Sequence, residues 1–241
     1  MKTVANMMVT DLLSRPDCYK DTNGFRIFLN SNDTYVSGAI AFYGCIERYV
    51  SNFFVNLLTP ASIVVDVGAN VGWYTMLAAK KAKSVYSFEP EPYSYSLLQK
   101  SVKWNRVSNV SLFNYAIGDR NEPGELAISD SSNKGGHSLV NMVGRTKIPV
   151  AIWRLDSVLS NAEPIDLLKV DAEGYEPNVL EGASGLTVKN IIMEWNPNVW
   201  SKTARDLLIK RYEVFIIGKK ILRYKQIPDT TLPAIWLVPR T

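Results

Sequence analysis

The chain has 241 residues, 46% of them hydrophobic, with a net charge of +4, which permits one large domain or two small ones and excludes a disordered chain. Two cysteines, Cys18 and Cys45, make no disulfide framework, and a single histidine, His137, excludes a His-rich zinc site. No apolar run approaches the roughly 18 residues of a membrane-spanning helix, so free thiols and the lack of a span point to a cytoplasmic protein.

Met1 to Leu13 carries one lysine, a short apolar patch and Asp11, a poor match to a signal peptide. Gly24 to Leu29 reads as a short strand and Ser31 to Asp33 as a turn. From Glu47 to Leu58 apolar residues recur at helical spacing, and Pro60 lies just beyond. Residues 1–60 are expected to form an N-terminal cap packed on a core domain spanning 61–241.

The segment Ile63 to Thr75 organises the rest. An apolar, β-branched run ends in Asp66, small residues follow in the pattern Asp66-x-Gly68-x-Asn70-x-Gly72, and a helix is expected over 73–82. Strand, Gly-rich turn and helix form a nucleotide-cradling unit. The alternating spacing differs from the dinucleotide pattern, and an acid at the turn repels a pyrophosphate but suits the ammonium and sulfonium of S-adenosylmethionine. A tight turn with no ligand is the plain alternative.

A second strand over 84–88 delivers Glu89 to its end, about 20 residues after the turn, where an acid holds a ribose diol. A helix is expected over 92–104 and a third strand over Val110 to Ala116. A polar excursion from Gly118 to Gly144 is long for a plain connection. It has strand candidates at Glu125–Ser129 and, just beyond, at Ile148–Ile152. The fourth strand is Ile165 to Asp171 and the fifth Ile191 to Trp195. Thr203 to Tyr212 reads as a helix, and Glu213–Ile217 and Ala234–Val238 as the last strands. Alternating strands and helices imply a parallel sheet covered on both faces, with ligands at the carboxyl ends of the strands. That rule collects Asp66, Glu89, Ala116, Asp171 and Glu194 on one rim.

Between Lys202 and Lys225 eight basic residues face two acids, a net of +6, so the remainder of the chain carries −2. Such a patch suits nucleic acid, anionic lipid or an acidic substrate, and a solvated helix face with a hairpin loop is the plain reading.

These motifs together resemble a known family. Asp66-Val-Gly68-Ala-Asn70-Val-Gly72, Phe88-Glu89-Pro90, Ala116-Ile117-Gly118, Leu155-Asp156, Leu168-Lys169-Val170-Asp171-Ala172-Glu173-Gly174-Tyr175-Glu176, Val179-Leu180-Glu181-Gly182 and Glu194-x-Asn196 are similar to those of the FkbM-type methyltransferases, within the class I S-adenosylmethionine-dependent superfamily. Gly135-Gly136-His137-Ser138 adds a small-residue element, and the likeness covers about residues 40 to 200. It implies an α/β fold, a Rossmann-like three-layer sandwich whose seven-stranded, mostly parallel sheet ends in an antiparallel strand. It also implies methyl transfer to a hydroxyl of a sugar, glycan or other small molecule. Asp66, Gly68, Asn70 and Gly72 would hold the methionine end of the cofactor, Glu89 its ribose, and Pro90 and Ala116 its adenine.

An alcohol is a weak nucleophile, so its methylation needs a base or a metal. Asp171 is expected beside the transferred methyl, with Glu173 or His137 as base, since histidine ordinarily titrates near neutrality. For His137 the plain alternative is a loop histidine. For Glu173 and Glu176 it is negative charge at a helix N-terminus. Asp171, Glu194 and Asn196 are oxygen donors that could hold a divalent cation such as magnesium. Trp195 and Trp200 are candidates for stacking on the acceptor. Two other functions compete: a nucleic-acid methyltransferase using the basic 202–225 segment, and a catalytically silent cofactor-fold module that binds a partner. The acceptor and the oligomeric state are not legible.

Overall fold

The computed structural model describes residues 18–129, 133, 135–140, 143–160, 163–224 and 229–240. The readings made for Met1 to Leu13 and for Lys225 lie outside them, as does part of the Gly118–Gly144 excursion.

The architecture is a central eight-stranded sheet with helices on both faces. The first strands, β1 (Tyr19–Thr22) and β2 (Phe25–Phe28), form a hairpin, followed by α1 (Val36–Tyr43) and α2 (Arg48–Leu57). Then come β3 (Ile63–Val67), α3 (Trp73–Ala79), β4 (Ser84–Phe88), α4 (Pro92–Trp104) and β5 (Val110–Phe113). The chain leaves the main sheet through β6 (Ala116–Ile117), β7 (Glu122–Ala127) and β8 (Lys147–Trp153), and returns with α5 (Leu155–Val158), β9 (Leu167–Val170), α6 (Glu176–Gly182) and β10 (Ile191–Trp195). It ends with α7 (Lys202–Arg211), β11 (Tyr212–Ile216), β12 (Leu222–Tyr224) and β13 (Leu232–Pro239).

The order across the sheet is β12-β11-β13-β10-β9-β3-β4-β5. From β10 to β5 every pairing is parallel, and β13 runs antiparallel between β10 and β11. The seven expected strands are therefore present with the last one reversed, and the short, exposed β12 adds an eighth at the edge. Chain order reverses between β3 and β9, the place where such sheets bind ligands.

Local chemistry explains the best-defined elements. All five residues of β3 are buried, which the run Ile-Val-Val-Asp-Val suits on a strand covered on both faces. Glu91 caps α4 by accepting hydrogen bonds from the Tyr93 and Ser94 amides, and Pro92 occupies its first turn. Ser201 caps α7 through the Ala204 amide.

The expected third strand is broken in two. Asn114 Nδ2 donates to the Glu89 carbonyl at 2.8 Å, the chain turns there, and Ala116–Ile117 pair with β8 in a separate three-stranded sheet. Of the excursion, Glu122–Ala127 form β7, which pairs antiparallel with β8 just beyond it. The helix expected over 73–82 ends at Ala79.

Two buried clusters flank the sheet. One joins Val64, Val85, Leu167 and Ile192 to α1 to α4 and to Phe25 and Ile27 of the N-terminal hairpin. The other joins Val65, Leu168, Val170 and Met193 to α5, α6 and α7. Strand alternation then places Asp66, Lys169 and Glu194 on the first face, two residues beyond Val64, Leu167 and Ile192. Cys18 and Cys45 are free thiols. Among the described residues, no helix is long and apolar enough to cross a membrane.

Candidate active site

A cavity of about 740 Å³ opens at the C-terminal ends of β3, β4, β9 and β10. The turn after β3 forms one wall, Glu89, Pro90 and Ala116 another, and Asp171, Glu173 and Glu194 a third. Tyr43 to Arg48, which link α1 to α2, and His137 complete it. Eight of the ten residues expected at the site therefore line one space. Asp66 and Gly72 do not.

Asp66 is buried beneath the turn. Its Oδ2 accepts from Thr75 Oγ1 at 2.6 Å, and Thr75 Oγ1 lies 2.8 Å from Ser87 Oγ. Burial lifts its carboxyl to about 6, against the pull of the Thr75 hydrogen bond. It ties β3 to α3 and β4, so its expected contact with the methionine end of a cofactor is corrected to support from below.

The two glycines of the turn are required by the protein's own packing. Gly68 has φ +78°, and a Cβ there would lie 1.8 Å from the Asp171 carbonyl oxygen. Gly72 has φ +98°, and its Cβ would meet Leu98 Cδ1 at 2.4 Å. Both positions require a left-handed backbone and direct contact between protein segments. Asn70, at φ +51°, is a residue that tolerates this region.

Glu89 is 6% exposed. Its two carboxylate oxygens accept from the Asn70 amide at 2.7 Å and the Glu91 amide at 2.8 Å. Burial pushes it up to about 7, although both amides pull the other way. Each oxygen keeps a second lone pair, so a vicinal diol can still be bound.

Acids crowd the opposite wall around one buried cation. Lys169 is 2% exposed, and its Nζ lies 3.1 Å from Asp171 Oδ2 and 4.9 Å from the Tyr74 ring centre. Burial alone would lower its pKa, but Asp171, Glu47 and Asp66 outweigh that and hold it above the ordinary lysine value. Tyr74 donates its hydroxyl to Glu47 Oε2 at 2.6 Å. Glu173 sits at a left-handed φ of 49° and is pushed up to about 8 by burial and by the charges of Asp171, Glu194 and Glu176. Glu194 is raised to about 7 by burial, then by Asp171 and Glu176. Lys169, Glu47 and Tyr74 had no role in the sequence reading. A lysine inside the apolar strand Leu167-Leu168-Lys169-Val170 was the available signal.

Several expectations change. The Ser129 amide donates to His137 Nδ1 at 2.9 Å, so the ring is the tautomer protonated at Nε2. In that tautomer Nε2 is the donor nitrogen, and the ring lines the cavity. Glu176 is buried, and its Oε1 accepts from the Ala172 and Gly174 amides, closing its own turn. Trp195 and Trp200 are both buried and stack on each other 5.4 Å apart, away from the cavity that Trp73 lines. Asn196 Oδ1 caps the following short 3-10 helix by accepting from the Asn198 amide, so the trio Asp171, Glu194 and Asn196 does not converge on a cation. Among the described residues, no group of three or more His, Cys, Asp or Glu is placed to hold a metal. In the basic segment, Arg205 pairs with Asp229 and Arg223 with Glu213, while Phe215 packs on Trp236.

The family described as Methyltransferase FkbM domain matches residues 66–216. A relative named Methyltransferase 1, from Beauveria bassiana, is 28% identical over 144 residues, which cover 50% of this chain and 58% of that protein, short of two thirds of its length. Methyltransferase sdnD of Sordaria araneosa is 28% identical over 173 residues, covering 56% of this chain and 67% of that one. Among solved structures, the FkbM methyltransferase of Methylobacillus flagellatus matches with a TM-score of 0.50 at 14% identity, over 98% of this chain and 60% of that one. Trm5b of Pyrococcus abyssi matches with 0.50 at 18% identity, over 93% and 55%. At these identities the structural likeness establishes the fold.

Proposed function

Because this chain belongs to the FkbM methyltransferase family, we propose that it transfers the methyl group of S-adenosylmethionine to a hydroxyl oxygen of a small molecule or glycan. The observation that carries the cofactor part of this reading is Glu89: a buried carboxyl, fixed by two backbone amides at the end of β4, opening onto the cavity. That is what holding a ribose diol requires. The donor set fits the cofactor in charge as well. Five carboxyl side chains, Glu47, Glu89, Asp171, Glu173 and Glu194, line a space in which Arg48 is the one Lys or Arg among the described residues.

When bound, S-adenosylmethionine supplies an electrophilic methyl on a positively charged sulfur. The chain's part is to position and to move one proton. Gly68 to Val71 and Glu89 would hold the cofactor, with Pro90 and Ala116 at its adenine. Asp171, held by Lys169, would face the positive charge. Glu173 would accept the proton of the acceptor hydroxyl as its oxygen takes the methyl group, the sulfur–methyl bond breaking to leave S-adenosylhomocysteine. Its raised pKa suits this, because a carboxylate near 8 is a stronger base than an ordinary one.

Calorimetric titration with S-adenosylmethionine and S-adenosylhomocysteine, with NAD as the control and Glu89→Ala alongside, tests the reading. Binding of the first two, lost in Glu89→Ala, supports it. A folded protein that binds neither removes it.

A further inference from the structure

A second cavity, of about 770 Å³, adjoins the first and shares Tyr43, Cys45, Arg48 and Trp73 with it. Its chemistry is the reverse. Arg48, Lys80 and Lys81 line it, with Asn52 and Asn56 as further donors, and no Asp or Glu is among its described lining residues. The two lysines are turned on backbone carbonyls: Lys80 Nζ donates to Asn23 O, and Lys81 Nζ to Val55 O at 3.0 Å. Neither ammonium is neutralised by a carboxylate there. Arg48 has no ion-pair partner among the described residues, and it stands where the acidic and basic spaces meet.

A guanidinium without an ion-pair partner among the described residues, sharing a cavity with two ammonium groups, is a recognition site for an oxyanion with several acceptor oxygens. An anionic group would be disfavoured in the first cavity, where the ionised carboxyl side chains repel it, and attracted into the second. A molecule carrying both an anion and a hydroxyl would thus be oriented by charge, anion at Arg48 and hydroxyl toward the acidic wall. We propose that the second cavity binds the phosphate of a phosphorylated small-molecule acceptor, with Arg48 as the central contact. The anion site stands on its own lining, while the word acceptor rests on the methyl-transfer reading above.

The probes are inorganic phosphate and glucose 6-phosphate, with glucose and glucuronate as controls, titrated calorimetrically into the full chain. Phosphate and glucose 6-phosphate should bind and glucose should not. Arg48→Gln should weaken phosphate binding by about tenfold or more, as loss of a charge-assisted contact does. Lys81→Gln, just beyond α3, should act in the same direction. Thermal melts establish that both variants fold. No phosphate binding to folded protein, or undiminished binding in both variants, overturns the proposal. Glucuronate binding as tightly as glucose 6-phosphate overturns the phosphate assignment. S-adenosylhomocysteine, titrated into the same samples, separates the two readings. If it binds and phosphate does not, only this inference falls. If phosphate binds and it does not, the anion site stands and methyl transfer falls.

Discussion

Lys169 Nζ and Asp171 Oδ2 lie 3.1 Å apart, two residues along the same chain segment, one buried and the other opening to the cavity. The ammonium also lies within the influence of Glu47 and Asp66. It therefore neutralises a set of acids and is more than one half of a pair. Lys169→Met fills the same space without charge and leaves those carboxyls uncompensated. The expected cost is about 1–3 kcal/mol, less than for a fully buried pair because Asp171 is partly open to water, read as a lower urea midpoint with an unchanged slope.

Glu89→Gln tests the diol-binding role with minimal change in shape. One acceptor oxygen is replaced by a donor, so a charged contact to the ribose is lost, along with one of the amide contacts that hold the turn. The affinity for S-adenosylhomocysteine should fall by about tenfold to a hundredfold, on the scale of 1.5–3 kcal/mol for a hydrogen bond to a charged group. Calorimetry reads this directly, and unchanged affinity would remove Glu89 from the binding site.

Stability of the ligand-free protein should fall as pH rises from about 5 to about 8.5. Glu173 is raised to about 8, Glu194 and Glu89 to about 7, and Asp66 to about 6. For each, the folded state binds more protons than the unfolded chain between its ordinary and its raised value. The stabilisation is thus full below the ordinary value and is lost as pH passes the raised one. Asp119, Asp156 and Asp166 are lowered and act oppositely, losing their contribution only in stronger acid. A melting temperature higher near pH 5 than near pH 8.5, with the difference reduced in Glu173→Gln, is the expected result. A flat profile would contradict the crowding of acids.

The role of Glu173 in catalysis makes a separate forecast. A base raised to about 8 is mostly protonated at neutral pH, so the rate should climb with pH to a plateau above that value. Glu173→Gln should lower kcat by about 10²–10⁴, the usual share of a general base. It should also remove the climb while leaving cofactor affinity within a few-fold. The same profile in Glu173→Gln would assign the proton to another group.

Much of the frame was legible. Helical spacing of apolar residues marked α4 over 92–104, and an apolar run marked β10 over 191–195, with the observed ends in both cases. Glu89 and Asp171 follow from being the acids at strand ends. What escaped was which way a residue faces. Asp66 and Trp195 also sit at strand ends, yet alternation turns Asp66 under α3, and Trp195 into the core beside α7. The break of the third strand depends on the contact from Asn114 to the carbonyl of Glu89, 25 residues away, which no local pattern reveals. The α1 segment Val36–Tyr43 contains Gly38 and lacks a polar stripe, so it gave little helical signal. β12 has three exposed residues and no burial pattern at all.

The contact between the Asp171 carbonyl and the bare Cα of Gly68 has a consequence for how the two walls stay in register. No side chain intervenes between the turn after β3 and the segment after β9. Their separation is therefore a backbone dimension, and repacking of neighbouring side chains has no lever on it. Cofactor turn and acidic wall would keep their spacing while the surfaces around them, including the cavity beside Arg48, are free to be rebuilt for another acceptor.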